Sequence, residues 1–225
     1  MLKCDVLVVG AGPAGLACSI ITAKHGLNTI IVEKNKEIGY PVKTSALTWS
    51  DVIKEWKLKR SVVQWYTNFE IASLHSKMKA SINFKRRIAC TVNFHKFLKQ
   101  LALQSIRFGS KIILNAKVVD SKLEKNKVYL KDKKMITAKI FIDASGPSAV
   151  LARKENLFPK KYELGIGIER EYYNVKVKSP TTFKIFVGEK EIIPEGYGWF
   201  FPLGKEAARI GIATSIKVGK KQKIF

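Results

Sequence analysis

The first apolar block, Cys4-Asp-Val-Leu-Val-Val9, is a β-branched run that stops at Gly10. That is the pattern of a parallel strand buried on both faces. A stretch of small residues then runs at helical spacing to about Gly26, and Asn28-Thr-Ile-Ile-Val-Glu33 repeats the buried-strand pattern with an acid at its end. Residues 37–49 form a loop holding Gly39 and Pro41. Residues 50–66 read as a helix, with Val52, Trp56 and Val63 among charges. Residues 69–90 alternate loosely, which predicts an antiparallel hairpin. Over 93–108 the apolar positions Phe94, Phe97, Leu98, Leu101 and Ile106 share one helical face, and Gly109 supplies a stop. Short strands follow in 111–124 and 126–132. Lys139–Asp143 is a further buried strand, ending in the small-residue turn Ala144-Ser145-Gly146-Pro147.

From 162 onward the pattern changes. Strands are predicted at 162–172, 182–187, 196–201 and 207–214, at hairpin spacing and with no long helix between them. This predicts an α/β chain in two parts: a nucleotide domain over 1–68 and 88–155, and an antiparallel sheet domain over 69–87 and 156–216. Residues 217–225 form a basic tail.

The N-terminal turn carries the first chemistry. Gly10-Ala11-Gly12-Pro13-Ala14-Gly15 sits between a strand and a helix, and Glu33 closes the next strand. Gly10 permits the tight turn. Gly12 lets a pyrophosphate approach the backbone. Gly15 lets the helix pack on the sheet. The helix N-terminus, at Pro13 and Ala14, presents free N–H groups to phosphate. Glu33 is placed to accept from a ribose 2′-OH, which disfavours NADP; Lys34 beside it faces phosphate or water. From these residues NAD and FAD both remain open. Ala144 and Gly146 offer a second close backbone approach at the carboxyl edge of the same sheet.

Charge narrows the partners. Lys and Arg number 41 against 18 Asp and Glu, a net +23, and only seven of the 41 are Arg. A Lys-dominated surplus suits an anionic membrane surface or phosphorylated substrates and argues against nucleic-acid readout. The three cysteines, Cys4, Cys18 and Cys90, have no C-x-x-C spacing. They predict a reducing, cytoplasmic setting with no disulfide framework and no metal site, and the Lys surplus adds peripheral docking on the membrane. His25, His75 and His95 read as surface residues, and no catalytic residue stands out. No run of about 18 apolar residues predicts a spanning helix.

Three motifs together resemble the FAD-dependent geranylgeranyl reductase family. They are GAGPAG with Glu33 and the following EIGYPV; FIDASGPSAVLAR at 141–153; and Pro194-Glu-Gly-Tyr197-Gly-Trp199-Phe-Phe201-Pro202 with Gly211-Ile-Ala213 after it. The resemblance implies a Rossmann-like FAD-binding domain of the hydroxylase-type flavoprotein fold with an antiparallel substrate domain. It implies reduction of C=C bonds in isoprenoid chains of membrane lipids, with NAD(P)H or a ferredoxin-like protein as electron donor. It places Gly10, Gly12, Pro13, Ala14, Gly15, Glu33, Lys34, Thr44, Ser45, Val118, Ala144 and Gly146 at FAD, and Tyr197, Trp199 and Phe201 at the substrate.

Departures from the family pattern accompany the resemblance. The loop after Pro41-Val42 lacks the Cys found in many relatives, Phe94 stands where relatives often have Arg, and Ser145 stands where many have Asp before the glycine. The family's third flavin segment is not present in these 225 residues, which the resemblance explains by a fragment, a truncated gene product or a segment supplied elsewhere. The alternatives are a flavin monooxygenase or halogenase on the same fold, and a catalytically incomplete FAD-binding fragment.

Overall fold

The computed structural model describes residues 2–73, 76, 78–159, 162–187 and 195–217. His75, Pro194 and nearly all of the basic tail lie outside the described residues. In chain order the elements begin β1 (Leu2–Val9), α1 (Pro13–Lys24), β2 (Thr29–Val32), β3 (Leu47–Trp49), α2 (Ser50–Glu55), β4 (Val62–Tyr66), β5 (Asn68–Ala72), β6 (Lys79–Asn83) and β7 (Ala89–Val92). They continue with α3 (Phe94–Arg107), β8 (Lys111–Ile113), β9 (Val118–Lys122), β10 (Lys127–Leu130), β11 (Met135–Asp143) and α4 (Val150–Lys154). The last four are β12 (Gly165–Tyr173), β13 (Thr182–Phe186), β14 (Tyr197–Pro202) and β15 (Ala207–Ser215).

The chain divides into two compact units, residues 1–42 with 94–160, and residues 43–93 with 161–225. The expected division kept 43–68 and 88–93 in the nucleotide domain. They lie instead in the second unit, because Tyr66 and Ala89 enter one buried core with Phe183, Trp199 and Phe201.

The first unit is built on a six-stranded sheet in the order β8-β2-β1-β11-β10-β9. Strands β8, β2, β1 and β11 are parallel, and β10 and β9 are antiparallel to their neighbours. Val9 is opposite Val32 on one side and Asp143 on the other, so three strands end level at the same edge. Leu7, Val9, Val32, Val128 and Ile136 are buried together as the core. Helix α1 packs on α3, where the Ser19 and Ser105 hydroxyls share a buried hydrogen bond of 2.8 Å. The expected continuous strand region 111–124 is two strands on opposite sheet edges, because Asn115 adopts a left-handed φ of 54° between them.

The second unit holds a six-stranded sheet, β12-β15-β14-β13-β5-β6, and a three-stranded sheet, β3-β7-β4. Two expectations change. The predicted helix over 50–66 is the short α2 followed by β4. The left-handed Lys57, φ 53°, ends the helix, and Val62, Val63, Trp65 and Tyr66 favour a strand. The large sheet is not wholly antiparallel, because β13 runs parallel to β5.

Tyr66 is the strut of this unit. It is fully buried among Ala89, Phe183 and Phe201. Its hydroxyl donates to the Pro202 carbonyl at 2.6 Å and is paired with the Thr91 hydroxyl. Tyr66→Phe leaves that carbonyl and hydroxyl without their buried partner. It is expected to lower stability by about 1–3 kcal/mol, read as a shift in urea midpoint with unchanged slope.

All three cysteines are unpaired. Burial pushes the Cys4 thiol up to about 11 and the Cys90 thiol up to about 12, so neither is a ready nucleophile. Among the described residues no helix is long and apolar enough to cross a membrane, and no cluster of three or more His, Cys, Asp and Glu is placed to hold a metal.

Candidate functional site

The level ends of β2, β1 and β11 open onto a cleft of about 660 Å³ in the first unit. Its floor is the turn out of β1. Gly10 takes φ +105°, and a Cβ there would stand 2.4 Å from the Ala144 carbonyl oxygen. Gly15 is tighter still: a Cβ would stand 1.9 Å from the Gly10 carbonyl oxygen. These two glycines let the turns after β1 and β11 and the first turn of α1 crowd together.

Gly12 differs, because nothing lies within 4 Å of where its Cβ would be. It is the N-cap of α1, no side chain caps the helix there, and no acid sits in the first turn. A twelve-residue helix thus presents an uncapped N-terminus beside an open glycine.

Glu33 completes the cradle. Its two carboxylate oxygens accept from the Ala11 and Asn35 N–H groups, each at 2.9 Å. This fixes the carboxylate at the rim, and each oxygen retains lone-pair capacity for a hydroxyl. The opposite wall is the turn after β11. The Asp143 carboxylate accepts from Ser145 N–H at 3.1 Å and Ser145 O–H at 2.5 Å, and from Leu151 and Ala152 N–H at 2.8 and 2.9 Å. Burial acts to raise the Asp143 carboxyl, but these hydrogen bonds outweigh it and hold it below its ordinary range.

An open glycine at an uncapped helix N-terminus fits a pyrophosphate, and a pinned acid at the end of β2 fits a ribose. The cleft therefore accommodates the adenosine diphosphate part of a dinucleotide.

Of the expected cofactor residues, Gly10, Gly12, Pro13, Ala14, Glu33, Lys34, Val118, Ala144 and Gly146 line this cleft. Gly15 does not line it; it sits behind, packing helix on turn. Thr44 and Ser45 belong to the second unit. There the Thr44 hydroxyl accepts from Ala46 N–H at 3.1 Å, and the Ser45 carbonyl accepts from the Arg209 guanidinium at 2.9 Å. The cleft adds Asn35, Ala116, Lys117, Ser145, Ser148 and Val150. Their only sequence signal was proximity to expected residues: Asn35 to Glu33, Ala116 and Lys117 to Val118, and Ser145, Ser148 and Val150 to the second glycine-containing motif.

In the second unit Tyr197, Trp199 and Phe201 share one face of β14, as their spacing predicts. Trp199 and Phe201 are only 7% and 4% exposed, whereas Tyr197 is 47% exposed. Phe201 packs into the core with Phe183. Trp199 lies across β15: a Cβ on Gly211 would stand 2.2 Å from its Cζ2 atom. Its indole N–H reaches β12 and donates to the Glu169 carboxylate at 2.7 Å. Arg209 anchors the same network, donating to Glu171 at 2.8 Å. Burial holds the Glu169 carboxyl above its usual range, and the Tyr173 hydroxyl and Arg209 hold Glu171 below. Sequence spacing did not single out Glu169 or Arg209.

Residues 5–158 match the family model for FAD dependent oxidoreductases, and residues 163–225 match that for the geranylgeranyl reductase catalytic domain. The chain is 30% identical, over 96% of its length, to a digeranylgeranylglycerophospholipid reductase of Methanocaldococcus jannaschii. It is 28% identical, over 94% of its length, to a reductase of the same name, numbered 3, from Methanosphaera stadtmanae. It spans 56% of each of these curated relatives. A solved geranylgeranyl bacteriochlorophyll reductase-like protein of Thermoplasma acidophilum superposes with a TM-score of 0.86 at 25% identity, over 97% of this chain and 58% of that one. A flavin-dependent brominase superposes with a TM-score of 0.77 at 18% identity, over 97% of this chain and 57% of that one, and shares the fold. The cradle in the first unit and the family match over residues 5–158 agree, and the chain belongs to the FAD dependent oxidoreductase family, with a geranylgeranyl reductase catalytic domain match over its last 63 residues.

Proposed function

We propose that this chain is the cofactor-binding and substrate-facing part of an oxidoreductase that reduces C=C bonds in isoprenoid chains of glycerophospholipids. One observation carries the proposal: a dinucleotide cradle and the Trp199 motif occur on one chain, which is 28–30% identical over 94–96% of its length to relatives named as digeranylgeranylglycerophospholipid reductases.

In this reading Gly12 and the α1 N-terminus hold the pyrophosphate, Glu33 holds the adenosine ribose, and the backbone at Val118 borders the adenine. FAD, when bound, supplies the hydride chemistry. Trp199, nearly buried, is a rigid base for the apolar chain's contact, because the indole edge that carries Nε1, Cε2 and Cζ2 is held by Gly211 and Glu169. Tyr197, exposed beside it at a ring distance of 5.8 Å, extends that contact. The electron donor is NAD(P)H or a ferredoxin-like protein, and the Lys-rich surface docks on anionic lipid.

The test has two stages. The purified chain is mixed with FAD, desalted and examined for a retained visible flavin band. The retained complex is then reduced with dithionite and given geranylgeranylated phosphoglycerolipid. Saturation appears as a mass gain of one hydrogen pair per reduced bond. Retained flavin with no lipid mass change under these conditions overturns the substrate assignment.

A further inference from the structure

The turn between β11 and α4 is an improbable piece of backbone. Gly146 takes φ +66° and Ala149 takes φ +41°, so two left-handed residues stand within four positions, and the second carries a Cβ. L-residues rarely adopt that conformation without outside support. Ala149 is nevertheless buried, and the turn is ordered around one carboxylate. Asp143 collects Ser145 N–H, Ser145 O–H, Leu151 N–H and Ala152 N–H on its two oxygens. The Ser145 hydroxyl extends the network, accepting from Val150 N–H at 2.9 Å while it donates to Asp143. Strand end, turn and helix start are thereby tied to one side chain.

Asp143 itself does not line the cleft. Ala144, Ser145, Gly146, Ser148 and Val150, the residues it holds, do. Ala144 is also the residue against which Gly10 is packed, so a shift of this turn moves the floor of the cleft as well as its wall.

We propose that Asp143, with Ser145 as its relay, is the positioning residue of the cofactor cleft: it holds a strained turn in the shape that FAD binding requires and does so from behind the cleft. This rests on the FAD-binding reading above. Ser145, the departure from the Asp-Gly pattern of the motif, is then no loss, because the charge two residues earlier, at Asp143, organises the same backbone through its hydroxyl.

The substitution Asp143→Asn keeps the shape and replaces one accepting oxygen with an N–H₂ group. That group faces two donors whichever way the amide is turned. The dissociation constant for FAD, read by quenching of flavin fluorescence on the 225-residue chain, is expected to rise about tenfold or more. Hydrogen exchange at the amides of 150–152 is expected to accelerate in parallel. Ser145→Ala is expected to weaken FAD several-fold, and Ser145→Thr, which keeps the hydroxyl, to lose less affinity than Ser145→Ala. Ala149→Gly relieves the left-handed strain and is expected to recover part of the affinity lost in Asp143→Asn.

An Asp143→Asn chain that binds FAD within about twofold of the parent overturns the proposal. So does weakened binding with unchanged exchange at 150–152 and no recovery by Ala149→Gly, since that result means direct contact with the cofactor. If Asp143→Asn fails to fold by circular dichroism, the contrast between Ser145→Ala and Ser145→Thr decides. A parent chain that takes up no FAD overturns the cofactor reading and, with it, the role of the turn in binding. Exchange at 150–152 then still reports separately whether Asp143 holds the turn.

Discussion

Gly15→Ala is expected to unfold the first unit or leave it unable to retain FAD, although alanine is the better helix former. Gly15 lies in the first turn of α1. On propensity alone the change gains about 1 kcal/mol. Against it stands a Cβ placed 1.9 Å from the Gly10 carbonyl oxygen and 3.1 Å from its carbon. Both are backbone atoms, so no side chain can turn aside. Relief requires α1 to lift from the β1 turn, which separates Leu16 and Ile20 from the core they fully enter. Overpacking of this kind costs about 1–3 kcal/mol when neighbours yield and more when they are backbone. Sterics outweigh propensity, and the expected net loss is about 3 kcal/mol or more. Urea unfolding measures it.

Gly12→Ala is the matched control. Gly12 has an ordinary φ of −76° and open space where the Cβ would go. Its stability should stay within about 0.5 kcal/mol of the parent. Its FAD affinity should fall, because the methyl group occupies the approach of the pyrophosphate. Equal loss of stability in both variants would show that the glycines serve packing alone.

Local spacing made this half of the site legible. Strand, glycine-rich turn, helix and terminal acid are contiguous, so Gly10, Gly12 and Glu33 are placed by chain connectivity. Val118 comes to the same cleft from a separate strand. What sequence spacing missed depends on strand order. Segments 43–68 and 88–93 leave the nucleotide unit because Tyr66 and Ala89 enter one core with Phe183 and Phe201, and no local pattern announces contacts so far apart in the chain. The parallel β13–β5 ladder joins residues more than a hundred positions apart. Asn115 and Lys57 break predicted elements through left-handed conformations that their neighbours' apolar spacing does not signal. Glu169 stands in an acid-rich alternation that reads as a solvated strand, yet its carboxylate meets Trp199 because β15 lies between them.

That last contact sets the second large effect. Gly211→Ala is expected to displace Trp199 and cost the second unit about 2–4 kcal/mol. The added Cβ would stand 2.2 and 2.4 Å from two indole carbons and 2.7 Å from the Ile168 carbonyl oxygen. The indole is the group able to move, and moving it breaks the 2.7 Å hydrogen bond to Glu169. The Glu169 carboxylate then keeps Arg209, at 3.8 Å, as its cationic neighbour, with the Glu171 carboxylate repelling it. Two consequences follow together: a lower denaturation midpoint, and loss of the fixed indole position that the proposed function uses. A double-mutant cycle separates steric conflict from any intrinsic effect at Gly211. In a Trp199→Leu background the same Gly211→Ala change should cost at least about 1 kcal/mol less, because the indole edge it collides with is gone. Equal cost in both backgrounds would place the conflict at the Ile168 carbonyl and remove Gly211 as the reason Trp199 lies flat.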